Sequence, residues 1–422
     1  MSRLRPMVWA AVVVSAVLTS TNAPAADFYL KNGDRVVFYG DSITDQRLYT
    51  TFTETFVVTR FPDKDVTFVH SGWGGDRVTG GGGGPIDRRL KRDVFAYKPT
   101  VMTIMLGMND ASYRAFDPKI FETYSKGFEN ILDSVKKEIP DIRITLIQPS
   151  PFDDVSRPPN FEGGYNAVLV RYGDYLKELA TKRGLDLADL NTYVVEATKR
   201  AFASDPEKAK KLNPDRVHPA PSGQLLMAAA LLKAWKAPAE VSRVEIKLST
   251  ENAGSTTQNT TVSDLKSKDG GLTWTQLDKA LPFPLNLKDP LFELALQSSD
   301  FVQTLDRQPI EIKGLSAGSY SLAIDAQAVG DFTAEQFAAG VNLATLPTPM
   351  AMQAAAVHEL TLKHNNIHFL RWRTVEVPLQ SESPEHLKKA LEGLDELEAE
   401  VVKKQRETAK PKAHAFSVTP KR

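Results

Sequence analysis

The stretch Phe38-Tyr39-Gly40-Asp41-Ser42-Ile43-Thr44-Asp45 decides how this chain is read. The run from Arg35 to Tyr39 is apolar after its first residue and stops at Gly-Asp-Ser. Gln46 to Arg60 then carries Leu48, Phe52 and Phe56 at helical spacing. Ser42 therefore stands where a buried strand hands over to a helix.

Moving outward, the same alternation recurs. Val66-Thr67-Phe68-Val69 reads as a second strand and runs into Ser71-Gly72-Trp73-Gly74-Gly75-Asp76. A helix is expected over Asp87 to Tyr97. Val101 to Leu106 is an apolar strand that ends in Gly107-Met108-Asn109-Asp110. A long helix follows over Pro118 to Ile139, with Phe121, Phe128, Leu132 and Val135 on its apolar positions. Ile142 to Ile147 is strand, Tyr165 to Arg183 helix, and Leu185 to Leu190 a short strand. Helices near Val194–Ala203 and Ser222–Trp235 close the unit. Near-continuous apolar strands are buried on both faces, so the expectation for residues 27–237 is an α/β domain with a parallel sheet and helices on both sides.

The period changes after Pro238. Val241 to Leu248 alternates, Asp269-Gly270-Gly271 marks a turn, and Ile310–Ile312 and Tyr320–Ile324 flank a glycine-bounded hairpin signal. Helical stretches are expected near 290–304 and 334–358. Residues 240–378 are thus expected to form a smaller α+β or β-rich accessory domain. In 379–422, a charged helix over 384–407 carries Leu387, Leu391, Leu394 and Leu397 on one side. The Lys/Pro-rich tail beyond Ala409 is expected to be disordered. At the other end, Arg3 and Arg5, the short apolar core Met7–Leu18 and Ala23-Pro24-Ala25 give residues 1–26 the pattern of a signal peptide. That reading places the protein outside the cytoplasm, secreted or periplasmic, with no membrane span once the signal is removed.

Composition narrows the chemistry. The 422 residues are 42% hydrophobic and 25% charged, with a formal net charge of +0, which gives no electrostatic case for nucleic acid. There are no cysteines, so disulfides, thiol nucleophiles and thiolate metal sites are excluded.

In open α/β sheets, ligands bind at the carboxyl ends of the strands. Ser42, Gly75, Asn109 and His218 all fall after strands and so converge on one edge. A serine hydroxyl needs an adjacent base. His218, in Asn213-Pro214-Asp215-Arg216-Val217-His218-Pro219, is the candidate, because Pro219 disfavours helical geometry there. Asp215 can fold under the ring to hold Nδ1–H and leave Nε2 free. A tetrahedral oxyanion needs preorganised donors, and the backbone N–H groups of Ser42 and Gly75 with the Asn109 side chain supply candidates. Asp41 is a candidate for orienting the serine loop. Trp73 and Met108 flank these residues and either line an acyl pocket or belong to the core.

These blocks resemble the SGNH hydrolases, the GDSL esterase/lipase family. Gly40-Asp41-Ser42 matches the first block with Ser42 as nucleophile, and Ile43 stands where the family name has Leu. Gly75 in Gly74-Gly75-Asp76, Gly107-Met108-Asn109-Asp110 and Asp215-Arg216-Val217-His218 match the others. Over residues 27–237 the resemblance implies a flavodoxin-like three-layer α/β/α sandwich. It implies a serine esterase that needs no metal or other cofactor. Its substrate would be a small-molecule or polysaccharide ester. Export and an accessory domain favour O-acetyl groups on carbohydrate. A lipase or lysophospholipase, and a non-catalytic glycan-binding protein on a hydrolase scaffold, are the alternatives. Oligomeric state stays open.

The remaining motifs are read structurally. His70 is expected to be packed or hydrogen-bonded. Gly80 to Gly84 lacks the Gly-Lys-Ser/Thr of a phosphate loop and is read as a flexible loop over the active edge. His358, His364 and His368 are read as surface positions, not metal ligands.

Overall fold

The computed structural model describes residues 27–249, 253–381 and 384–421. The signal-peptide reading of residues 1–26 lies outside them.

The central sheet is built from β1 (Arg35–Gly40), β2 (Thr67–Gly72), β3 (Val101–Met105), β4 (Arg143–Ile147) and β5 (Asp186–Ala188). All neighbours pair in parallel, in the order β2-β1-β3-β4-β5. β1 and β3 lie wholly in the core beyond Arg35, which accounts for their unbroken apolar runs. The helices are α1 (Ser42–Asp45), α2 (Leu48–Arg60), α3 (Ile86–Asp93), α4 (Pro118–Glu138), α5 (Gly164–Arg183), α6 (Leu190–Ser204), α7 (Pro206–Leu212) and α8 (Pro221–Ala234). The path from β1 to β2 runs one way along the sheet and the paths from β3 to β5 run the other. Right-handed crossovers therefore put α2 on one face and α4 with α5 on the opposite face. Tyr124 of α4 meets Tyr172 of α5 at 4.4 Å between ring centroids. α8 lies beside α2. This is the expected three-layer sandwich, and the direction reverses next to β1, at the strand whose end carries Ser42.

Beyond Pro238 come β6 (Arg243–Leu248), β7 (Ala253–Gln258), β8 (Thr260–Lys268), β9 (Gly271–Asp278), α9 (Pro290–Gln297), α10 (Phe301–Leu305), β10 (Pro309–Lys313), β11 (Ser319–Ile324), β12 (Gln327–Thr333), α11 (Ala334–Ala339) and β13 (Val341–Asn342). α12 (Pro349–Phe369) runs into a π-helical segment at Leu370–Glu376. α13 (Pro384–Ala409) and β14 (Ala413–Pro420) complete the chain. The strands form two sheets, β8-β9-β14-β11-β12 and β13-β10-β6-β7. Their core holds Ile246, Trp274, Ile312, Leu322, Phe337 and Phe416.

The tail is therefore not disordered. β14 sits in the middle of its sheet, antiparallel to β9 and β11, and buries Phe416 and Val418. Ala413–Pro420 alternates buried and exposed, a strand pattern that the preceding Lys/Pro-rich stretch masks. Residues 283–305 also cross the expected boundary. Phe283, Phe292, Phe301 and Leu305 belong to the core of the first unit.

Every residue of α2 from Tyr49 to Arg60 is buried, polar ones included. α12 and α13 cover the outer face of α2, which a three-layer sandwich alone would leave in water. His364 and His368 are consequently 4% and 2% exposed, not at the surface. His364 Nδ1 lies 3.0 Å from Glu54 Oε1 and Nε2 lies 3.0 Å from Glu398 Oε1. His358 Nδ1 meets Thr55 Oγ1 at 2.9 Å. Burial pushes His358 and His368 below the ordinary imidazole value, the latter to about 3. Among the described residues no cluster of His, Asp and Glu has metal-binding geometry, and no helix is long and apolar enough to cross a membrane.

Candidate active site

The serine turn is made by its neighbours. Asp41 caps α1, its Oδ1 accepting the Ile43 N–H at 3.0 Å from an extended backbone. Burial, the main cause, pushes its carboxyl up to about 7. α1 folds back so tightly over the strand ends that a Cβ on Gly72 would stand 2.1 Å from the Asp45 nitrogen. Asp45 Oδ2 then accepts the Gly74 N–H at 3.1 Å. This ties the serine helix to the glycine turn after β2. The Ser42 N–H lies in the first turn of a helix, where no intrahelical acceptor exists.

His218 arrives from the loop between α7 and α8. Its Nε2 lies 2.8 Å from Ser42 Oγ, and its Nδ1 lies 2.7 Å from Asp215 Oδ2. Asp215 Oδ1 accepts the N–H groups of Val217 at 2.9 Å and His218 at 2.7 Å. Burial would raise this carboxyl, but the His218 N–H, its ring and the Val217 N–H outweigh that and hold it below the ordinary carboxylate range. The loop turns through Arg216 at φ +72°, which brings Asp215 back under the ring. Arg157 braces the turn by donating to the carbonyls of Lys210, Asn213 and Pro214, each at 3.0 Å.

Gly75 has φ +75°, a left-handed conformation suited to glycine. The direction a side chain would take from it is open, with no atom within 4 Å. Asn109 Nδ2 donates to the Asp76 carbonyl at 3.1 Å, so the third motif leans against the second. Asp76 in turn accepts from Arg89 Nε at 2.6 Å, and Arg89 Nη2 donates to the Ser71 carbonyl at 2.7 Å. The structure thus joins Ser42 directly to His218 and Asp215, with Gly75 and Asn109 linked through the glycine turn.

Of the three remaining candidates, Asp41 orients the serine turn, and Trp73 and Met108 are packed. Asp41 is 1% exposed and faces its own backbone turn. Met108 is 1% exposed and belongs to the hydrophobic core, because the loop after β3 turns it inward. Trp73 packs under the Arg373 guanidinium, 3.0 Å from its ring centroid, and edge-on to Trp372. The glycine run Gly80–Gly84 is a two-strand hairpin, not a loose loop, with Gly83 pressed against Arg89 and Trp73. His70 is packed and hydrogen-bonded, as expected. Sequence reasoning missed Arg89, Arg157 and Tyr113, whose OH donates to Asn109 Oδ1 at 3.0 Å. Each has a partner four residues away, Asp93, Asp153 and Asn109, a spacing so common in helices and turns that it singles out no functional residue.

A serine hydroxyl, an imidazole and a carboxylate in line, at the switch point of a parallel sheet, is an arrangement for acyl transfer. An acetylxylan esterase of Geobacillus stearothermophilus is 24% identical over 220 residues, covering 48% of this chain and 94% of that protein. A gut microbial diltiazem-metabolizing enzyme has a similar structure along nearly the whole chain. It superposes with TM-score 0.79 at 24% identity, covering 93% of this chain and 98% of that one, which bears on the fold alone. A catalytic mutant of the Geobacillus acetylxylan esterase superposes with TM-score 0.41 at 21% identity, over 49% of this chain and 96% of that one. The model of the GDSL-like lipase/acylhydrolase family matches residues 38–226, the part of the chain that carries Ser42, Gly75, Asn109, Asp215 and His218.

Proposed function

We propose that the protein is an exported serine esterase that removes O-acetyl or other short acyl groups from carbohydrate through an acyl-enzyme. The carrying observation is the Ser42 Oγ–His218 Nε2 distance of 2.8 Å with Asp215 on the far nitrogen at 2.7 Å. Ser42 Oγ attacks the ester carbonyl as its proton passes to His218 Nε2. Asp215 holds the ring and offsets the charge that forms on it. The N–H groups of Ser42 and Gly75 and the Asn109 amide receive the oxyanion, each worth about 10²–10³ in rate. The C–O bond to the alcohol breaks, and the alcohol leaves with the His218 proton. Water, deprotonated by His218, then attacks the acyl-serine; the bond from the acyl carbon to Ser42 Oγ breaks, Oγ takes the proton back from His218, and the acid leaves. No step requires a metal or an organic cofactor.

The carbohydrate reading draws support from the acetylxylan esterase relative, and export from the signal-like residues 1–26. The deciding experiment is acetate release from a panel of acetylated polysaccharides, with Ser42→Ala protein as blank. Release from one class above the blank is expected. A preference for octanoyl over acetyl p-nitrophenyl esters would overturn the short-acyl reading. An unprocessed amino terminus on protein retained in the cytoplasm would overturn export.

A further inference from the structure

We propose that Tyr113 is a positioning residue that fixes the Asn109 carboxamide in the orientation that presents Nδ2 to the reacting carbonyl; this rests on the acyl-transfer reading above. Two hydrogen bonds define that orientation. Tyr113 OH donates to Asn109 Oδ1 at 3.0 Å, and Asn109 Nδ2 donates to the Asp76 carbonyl at 3.1 Å. A flipped amide would set Oδ1 against the Asp76 carbonyl oxygen, two acceptors face to face. With the amide held, one Nδ2 hydrogen stays committed to Asp76 and the second is left for developing negative charge.

Burial does not explain why Tyr113 is held there, since the residue is 45% exposed. Its backbone is strained. Ser112 and Tyr113 have φ of +59° and +53°, two successive left-handed residues, neither of them glycine. Such strain persists only where the surroundings over-determine it, and it gathers at functional sites. The surroundings here are specific. The Ser112 N–H returns to the Asn109 carbonyl at 3.1 Å. The Tyr113 ring stacks on Tyr165 at 5.0 Å, and Tyr165 OH donates to the Met108 carbonyl at 2.5 Å. One tyrosine thus holds the backbone just before Asn109 and the other holds its side chain. Phe152 stands edge-on to both rings, at 6.4 and 5.3 Å. The next residue, Asp153, donates its N–H to the Arg216 carbonyl at 3.0 Å, inside the histidine loop. The aromatic trio therefore links the asparagine loop to the loop that carries Asp215 and His218. Burial above all, with the charges of Asp41 and Asp215, pushes the phenol up to about 12, so it remains a donor at neutral pH.

The test is Tyr113→Phe in the full chain, assayed with p-nitrophenyl acetate, alone and combined with Asn109→Ala. Loss of one neutral hydrogen bond is expected to lower kcat about five- to tenfold, with KM changed less than about twofold. In the Asn109→Ala background the same change is expected to have almost no further effect. An unchanged kcat, or an equal further loss without Asn109, overturns the proposal. If the parent is no faster than Ser42→Ala, the esterase reading has failed and a second readout still decides this one. The side-chain amide protons of ¹⁵N-labelled Asn109 should shift and exchange faster in Tyr113→Phe while backbone amides elsewhere stay in place. An unmoved Asn109 pair contradicts the assignment.

Discussion

His218 and His70 each stand between a hydroxyl and a carboxylate. His218 reaches Ser42 Oγ at 2.8 Å and Asp215 Oδ2 at 2.7 Å. His70 reaches Thr50 Oγ1 at 2.6 Å and Glu54 Oε2 at 3.2 Å. By distance alone both are hydroxyl–imidazole–carboxylate arrays. Exposure separates them. The side chains of His218 and Asp215 are 35% and 56% accessible, whereas those of His70 and Glu54 are 0% and 2%. The first array ends on solvent at the sheet switch point, and the second is closed on every side. Glu54 also faces His364, and Gln405 donates to it at 3.0 Å. The difference teaches that a triad is a site only where its hydroxyl can be reached. Inside the fold the same groups act as a polar seam joining α2 to the C-terminal helices.

Substitutions at the two arrays should split accordingly. Ser42→Ala is expected to lower kcat for p-nitrophenyl acetate by roughly 10⁶, with an unchanged melting temperature. Residual turnover near the parent level would make the exposed array as inert as the buried one. Asp215→Asn should cost roughly 10⁴ in kcat, because the ring loses its tautomer and orientation. A loss of less than tenfold would mean that half-exposed Asp215 does little beyond shaping its loop.

The seam should answer in stability. Burial lowers the His364 imidazole, but the Glu54 and Glu398 carboxylates outweigh it and hold the ring up to about 10. That stabilisation is fully present below the ordinary histidine value of about 6.5. It declines as pH rises and is lost as pH passes through about 10. His364→Ala should therefore cost about 3–5 kcal/mol near pH 6 by urea unfolding. The penalty should shrink toward pH 10, and equal penalties at both pH values would contradict a charged pair. Thr50→Val strips His70 Nδ1 of its partner and should cost about 1–3 kcal/mol, with kcat for the ester within about twofold of the parent. A large kcat loss there would give the buried array a role in turnover.

How legible each region is in the sequence follows from where its partners lie. Ser42, Gly75, Asn109 and His218 could be found because strand ends must converge in a parallel sheet, so position along the chain fixed position in space. Asp215 could be found because its partner is three residues away. The seam could not. Thr51 and Glu54 look like the wet face of an amphipathic helix, and they are dry because α12 and α13, some 300 residues on, lie over them. His364 and His368 misled for the same reason. The last strand escaped notice because Lys410, Pro411 and Lys412 announce a solvated tail just before Ala413 begins to alternate. Local pattern reads local structure, and burial by a distant element leaves no local mark.

Covalent capture tests most directly whether Ser42 is the nucleophile. A fluorophosphonate probe, followed by peptide mass spectrometry, should add its phosphonyl group to Ser42 and to no other hydroxyl, Thr50 included. Labelling should vanish in Ser42→Ala and slow sharply in His218→Asn, in step with ester turnover. A protein that hydrolyses esters while Ser42 stays unlabelled, or that carries the label elsewhere, would contradict it.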